Sequence, residues 1–83
     1  MKKIYILVEG NEIHNQQLDV FGTREEAETA MRERFFALLS PDAREKDRGE
    51  FYKIHSDWAW INWELSKDEL ETDWQIWEKE VQL

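Results

Sequence analysis

The chain has 83 residues, a net charge of −8, no cysteine and five tryptophans. A chain of this length folds around a single hydrophobic core, so we expect one domain over residues 1–83. The lack of cysteine excludes disulfides, thiolate zinc sites, iron–sulfur clusters and a cysteine nucleophile. The acidic charge repels phosphate groups, which argues against direct binding of nucleic acid or of anionic membranes.

The N-terminal part of the sequence predicts two strands. Ile4, Ile6 and Val8 alternate with other residues at period two, which is typical of a strand with an apolar face. A turn at residues 10–12 and a second alternation over residues 17–20 predict an antiparallel hairpin. No apolar run reaches the roughly seven residues of a signal-peptide core or the roughly 18 of a membrane span, so we expect a cytoplasmic protein.

The next segment predicts one amphipathic helix. Thr23-Arg24-Glu25-Glu26 has the S/T-x-x-E form of a capping box, which starts a helix at Thr23. Pro41 ends this helix near Ser40. Steps of three and four residues give the helix one core-facing stripe. This stripe consists of Ala27, Ala30, Met31, Arg34, Phe35 and Leu38.

The remainder of the chain predicts a connection and two more strands. Residues 41–50 carry alternating charges and very few apolar side chains, so they indicate a solvated connection. One strand follows from Tyr52 to Leu65, Ser66–Glu69 predicts one helical turn, and a last strand runs from Trp74 to Val81. The expected fold is α+β, with an antiparallel sheet of about four strands in the chain order β-β-α-β-β and one helix on one face.

The last third of the chain concentrates both tryptophan and acidic charge. Residues 57–83 contain all five tryptophans and eight acidic against two basic residues, a net charge of −6. Alternation directs Trp58 and Trp60 opposite to Trp63, and Trp74 opposite to Trp77. Since one helix covers only one face, some of these rings lie on the other face. Two interpretations stay open: the rings shelter one another within the sheet, or they form a patch for a partner protein or a homodimer.

The carboxylates of this segment suggest a sharper hypothesis. Strand residues two apart are about 6.6 Å apart, close to two steps of about 3.4 Å along a nucleic-acid strand. Such an acidic row would imitate nucleic acid and occupy the basic surface of a nucleic-acid-binding protein, for example a nuclease. The alternative is that the acidic face only maintains solubility. The candidate partner-binding residues are Glu64, Asp68, Glu69, Glu71, Asp73, Glu78, Glu80, Trp58, Trp60 and Trp77.

Catalytic and metal-binding interpretations find little support in the sequence. His14 and His55 are the only histidines, and neither has a second histidine at the spacing of a metal site. Glu64 and Glu78 would face each other across a final hairpin as a carboxylate pair for glycoside chemistry, but a domain of this size offers little substrate cleft. We therefore expect no enzyme activity, no metal and no cofactor.

Three segments carry a resemblance to known proteins: Lys3–Leu7, Val20–Ala27 and Trp74–Val81. With these segments the chain resembles small acidic α+β proteins of prophages and other mobile elements. The resemblance implies an accessory role in phage or host defence, where anti-CRISPR and anti-restriction proteins are similar in size and charge. It supplies no site residues.

These observations favour a non-enzymatic protein-protein interaction module, which blocks a nucleic-acid-binding defence protein through its acidic, Trp-rich surface. The first alternative is a structural homodimer with a Trp-lined interface and no external partner. The second alternative is a domain that binds a small ligand.

Overall fold

The computed structural model of the chain describes residues 2–11, 16–41 and 51–82. Its elements are β1 (Lys2–Asn11), β2 (Gln17–Phe21), α1 (Arg24–Leu38), β3 (Tyr52–Ile54), β4 (Trp58–Ile61), a 3-10 turn (Trp63–Leu65) and β5 (Thr72–Val81). The strands form one antiparallel sheet in the order β2-β1-β5-β4-β3. The predicted α+β class with one helix is confirmed. His14 and most of the predicted connection, residues 42–50, lie outside the described residues.

The sheet has five strands, so the prediction of about four is wrong. The region expected to form one long strand after the helix folds into the β3–β4 hairpin. The His55 N–H donates to the Trp58 carbonyl at 2.8 Å, and Ile54 pairs with Ala59 across the turn. Ser and Asp favour such turns through their short polar side chains. The turn at Ser56 therefore reverses the chain direction. The alternation of apolar and polar residues before and after this turn suggests one continuous strand.

Helix α1 begins where the capping motif predicts it. Thr23 is the N-cap, has an extended backbone and accepts the Glu26 N–H on its Oγ1 at 3.2 Å. The second half of the motif differs, because Glu26 Oε1 accepts the Thr23 hydroxyl at 3.1 Å and not the Thr23 amide. At the other end the Leu39 N–H donates to the Phe35 carbonyl, shortly before Pro41. No helix within the described residues has the length and apolar character that a bilayer-spanning segment needs.

The hydrophobic core lies between α1 and one face of the sheet. Trp74 is 1% exposed, and its ring contacts Phe35 edge to face with ring centroids 6.0 Å apart. The Trp74 indole N–H donates to Glu9 Oε1 at 2.6 Å, so this buried donor is satisfied. The buried core residues are Leu7, Met31, Phe35, Leu39, Ala59, Ile61 and Trp74.

Strand alternation determines which side chains point away from this core. Leu7 on β1 and Trp74 on β5 point toward α1, because both belong to the core cluster. Neighbours at odd steps point to the opposite side of the sheet, so Asp73, Gln75 and Trp77 point away from α1. Among the described residues α1 is the only α-helix, and it packs on the Leu7 and Trp74 side, so no described helix covers the opposite side of the sheet.

Candidate functional site

The uncovered side of the sheet, which we call the open face, is built from all five strands. Residues paired across an antiparallel ladder point to the same side, so the register identifies its members. They are Lys2, Ile4, Ile6, Val8 and Gly10 of β1, Leu18 and Val20 of β2, Lys53 of β3, Trp58 and Trp60 of β4, and Asp73, Gln75, Trp77, Lys79 and Val81 of β5.

The centre of the open face is apolar. Val8 pairs with Leu18 on one side and with Gln75 on the other, and it is only 4% exposed. Four of the seven large hydrophobic side chains that are exposed in the described part of the chain lie on this face: Leu18, Val20, Trp58 and Trp77. Large contiguous apolar patches on the surface of soluble proteins are often interaction sites.

Two tryptophans of the open face are held by hydrogen bonds. The Trp77 indole N–H donates to Gln75 Oε1 at 3.0 Å, although the ring is 53% exposed. The Trp60 indole N–H donates to Glu71 Oε1 at 2.7 Å. Rings that are already positioned lose less side-chain entropy when a partner binds. The face is therefore partly preorganised for contact.

The charges of the open face are separated between its two ends. Glu71 and Asp73 lie where β5 begins, and Lys2 and Lys79 lie where β5 ends. Burial raises the pKa of the Asp73 carboxyl, and the nearby charge of Glu71 raises it further. Gly10 pairs with Asp73, and a Cβ at Gly10 would lie 3.2 Å from Asp73 Oδ1, so glycine leaves room for this carboxylate. Within the described ranges, neither Lys2 nor Lys79 forms an ion pair.

The acidic row expected from the sequence is divided between two faces. Asp73 lies on the open face, whereas Glu78 pairs with Tyr5 on the helix side of the sheet. Glu78 Oε2 lies 3.8 Å from the Lys3 ammonium group, and Glu80 pairs with Lys3 in the ladder. These two glutamates therefore lie beside Lys3, at the far end of β5 from Asp73, and do not continue a row with it.

The remaining acidic candidates lie in the segment between β4 and β5. The Lys67 N–H donates to the Leu38 carbonyl at 2.8 Å, which holds the segment between β4 and β5 against the helix end. Asp68 accepts the Ser66 hydroxyl and the Leu70 N–H, which gives a turn in place of the predicted helical turn. We call the carboxylates of this segment, together with Asp73 at the start of β5, the acidic end: Glu64, Asp68, Glu69, Glu71 and Asp73.

Trp63 is an exposed aromatic side chain beside the acidic end. The sequence places it on the same side as Ala59 and Ile61, but it is 51% exposed. The strand ends at Ile61 because the Asn62 side chain accepts the Glu64 N–H at 3.0 Å and caps the 3-10 turn. Asn62 is the sequence signal that would have identified this break.

The structure separates the carboxylate pair considered for glycoside chemistry. Glu64 lies in the 3-10 turn at the acidic end, and Glu78 lies near the other end of β5, so they do not face each other. No three His, Asp or Glu side chains in the described part of the chain are close enough together to hold a metal ion. The His55 ring stacks on Trp58 with ring centroids 4.6 Å apart.

Leu18 and Val20 belong to the open face but not to the candidates chosen from the sequence. The sequence signal that could have identified them lies in β1, which is apolar at successive positions such as Ile6, Leu7 and Val8. Such a strand has two apolar faces, of which one helix covers only one. The β2 residues paired with Ile6 and Val8 then belong to the uncovered side.

The chain has no significant match to a protein-family model, to a curated protein or to a solved structure.

Proposed function

We propose that the protein is a non-enzymatic interaction module that binds a partner protein with its open face. The observation that supports this function is the cluster of four exposed side chains, Leu18, Val20, Trp58 and Trp77, on one uncovered side of the sheet. Burying such surface favours association by roughly 25 cal/mol per Å². Tryptophan is also among the residues that dominate the energy of protein interfaces.

A protein is the partner class that fits this face best. The net charge of −8 repels nucleic acid and anionic lipid surfaces. The centre of the open face is a broad sheet surface, whereas small molecules bind in concave sites that bury most of the ligand. A broad apolar centre with charged residues at its ends is the usual arrangement of a protein interface.

Site-specific crosslinking in the cells that produce the protein tests this function. A photo-crosslinking amino acid replaces Val20, which is 62% exposed, and in a matched variant it replaces the exposed Glu33 on α1. We expect a covalent protein adduct from position 20 and little or none from position 33. The adduct contains either a second copy of the chain or another protein. No adduct from position 20, or equal adducts from both positions, would contradict the proposal.

The acidic end supports a second candidate function, binding to a basic protein surface. Trp63 is exposed directly beside Glu64, which places an aromatic ring next to a group of carboxylates. This candidate retains the inhibitor role implied by the resemblance to small phage proteins, with fewer carboxylates than the sequence suggested. A crosslinker at position 63 extends the same experiment. We expect an adduct that is lost with Glu64→Lys and Glu69→Lys combined.

A further inference from the structure

We infer that the partner bound by the open face is a second copy of this chain, stacked face to face about a two-fold axis. This inference rests on the proposed function and specifies its partner. A two-fold interface brings one surface patch against itself, so its apolar and charged groups have to be self-complementary. The open face meets this condition because its acidic and basic residues lie at opposite ends of the same strands.

The charges define where the axis passes. We place it between the two sheets, perpendicular to the strands and level with the paired residues Leu7 and Ile76. Rotation about this axis reverses the strand direction. On β5, Asp73 lies three residues before Ile76 and Lys79 lies three residues after it. The rotation therefore places Asp73 opposite Lys79 of the second copy. The symmetric contact forms between Lys79 and Asp73 of the second copy.

The same rotation brings a second set of opposite charges together. Lys2 pairs with Val81, five residues beyond the axis on β5, and Glu71 lies five residues before it. Each Lys2 therefore lies near Glu71 of the other copy. Lys53, the remaining cation of this face, lies on edge strand β3 beside Trp60 and outside these contacts.

The apolar rows also match under this rotation. Val20, Ile6 and Trp77 form one row across the sheet, and the next row contains Leu18, Val8, Gln75 and Trp58. The axis lies between these rows, so Val20, Ile6 and Trp77 face Leu18, Val8 and Gln75 of the second copy, and Trp58 lies at the margin of the contact. Stacked sheets pack about 10 Å apart with their strands within roughly 30° of alignment, which accommodates these side chains.

The environment of Asp73 supports the same partner. Its carboxylate is partly buried beside the like charge of Glu71, and burial raises its pKa. A nearby opposite charge stabilises a partly buried carboxylate more strongly than it stabilises an exposed carboxylate. Lys79 of the second copy would supply that charge.

The size of the face determines how tight the dimer is. Under this rotation β2, β1 and β5 face the same strands of the second copy, whereas β3 and β4 lie wholly on the Asp73 side of the axis. Three strands spaced about 4.8 Å apart and eight residues at about 3.3 Å each outline roughly 400 Å² per copy. The total of about 800 Å² is below the usual size of a stable specific interface. We therefore expect a weak, reversible dimer with a Kd of about 100 µM.

Sedimentation equilibrium of the purified chain over a range of concentrations tests the dimer. We expect Asp73→Lys or Lys79→Glu alone to raise the Kd by about tenfold or more, because each places like charges together. The double variant restores the opposite charges, so we expect its Kd within about threefold of the wild-type value. The matched control, Glu33→Lys, makes a comparable charge change on the other side of the sheet and leaves the Kd unchanged.

A second charge exchange provides an independent test in case a variant of the first exchange fails to fold. Lys2→Glu and Glu71→Lys, alone and combined, follow the same logic, and circular dichroism verifies the fold of each variant. A chain that stays monomeric up to about 1 mM would overturn the inference. A dimer whose Kd is unchanged in the variants of both charge exchanges would also overturn it. Crosslinks from position 20 to a different protein would then still support the proposed function, whereas their absence would overturn both.

Discussion

Trp74 and Trp77 show how position decides the role of a residue type. They lie three residues apart on β5 and therefore point to opposite sides of the sheet. Trp74 is 1% exposed and contacts the core, whereas Trp77 is 53% exposed on the open face. We expect the first to stabilise the fold and the second to serve binding.

Replacing these two tryptophans separates the two roles. We expect Trp74→Phe to lower the free energy of unfolding by about 2 kcal/mol, because it leaves Glu9 without the buried indole donor and leaves volume unfilled. Trp77→Phe is the matched control, with an expected loss below about 0.5 kcal/mol. Urea denaturation followed by circular dichroism, at concentrations below the expected dimer Kd, measures both. Equal losses would contradict this assignment.

At the scale of elements, α1 depends on a local cap that the sequence already contains. We expect Thr23→Ala to lower the free energy of unfolding by about 1 kcal/mol, because the Glu26 N–H loses its acceptor. For a domain of this size that loss lowers the Tm by roughly 4–8 °C. Thr23→Ser keeps the hydroxyl and is the matched control, with a Tm close to that of the wild type. A similar decrease in both variants would contradict the capping role.

The helix and three of the five strands could be predicted because their signals are local. The cap at Thr23, the stop at Pro41 and the alternation of β1, β2 and β5 each involve residues that are near in sequence. The β3–β4 hairpin was missed because its Ser56 turn contains no glycine or proline. The pairing of β1 with β5 joins distant parts of the chain, and no local pattern specifies it.

At the scale of the whole molecule, the candidate surface could be predicted only in part. Alternation correctly separated Trp77 from Trp74, but it could not show which side of the sheet the helix covers, because tertiary packing decides that. The acidic row failed for a simpler reason. Asp73 and Glu78 are five residues apart on one strand, and an odd separation places them on opposite faces.

Folding also redistributes the charge of the whole chain. The acidic end contains five carboxylates, whereas Glu78 and Glu80 lie beside Lys3 on the other side of the sheet from Asp73. Like charges gathered at one end oppose folding, most strongly where a carboxylate is also partly buried. Asp73 combines both conditions.

Asp73 therefore makes the stability of the molecule depend on pH. Its pKa is raised in the folded state above the ordinary value of about 3.9 that applies to the unfolded chain. At a pH between the unfolded-state pKa and the folded-state pKa, the folded chain binds the proton more tightly than the unfolded chain. The contribution of Asp73 to stability therefore falls as pH rises through this range. The full destabilisation is present at pH 7, which lies above both pKa values.

We expect Asp73→Asn to raise the Tm at pH 7, and to raise it less at pH 3, where the wild-type carboxyl is already mostly neutral. Thermal unfolding of both proteins at low concentration measures this difference, with Glu33→Gln as an exposed control. A variant that is less stable at pH 7, or an equal difference at both pH values, would show that the Asp73 carboxylate does not oppose folding.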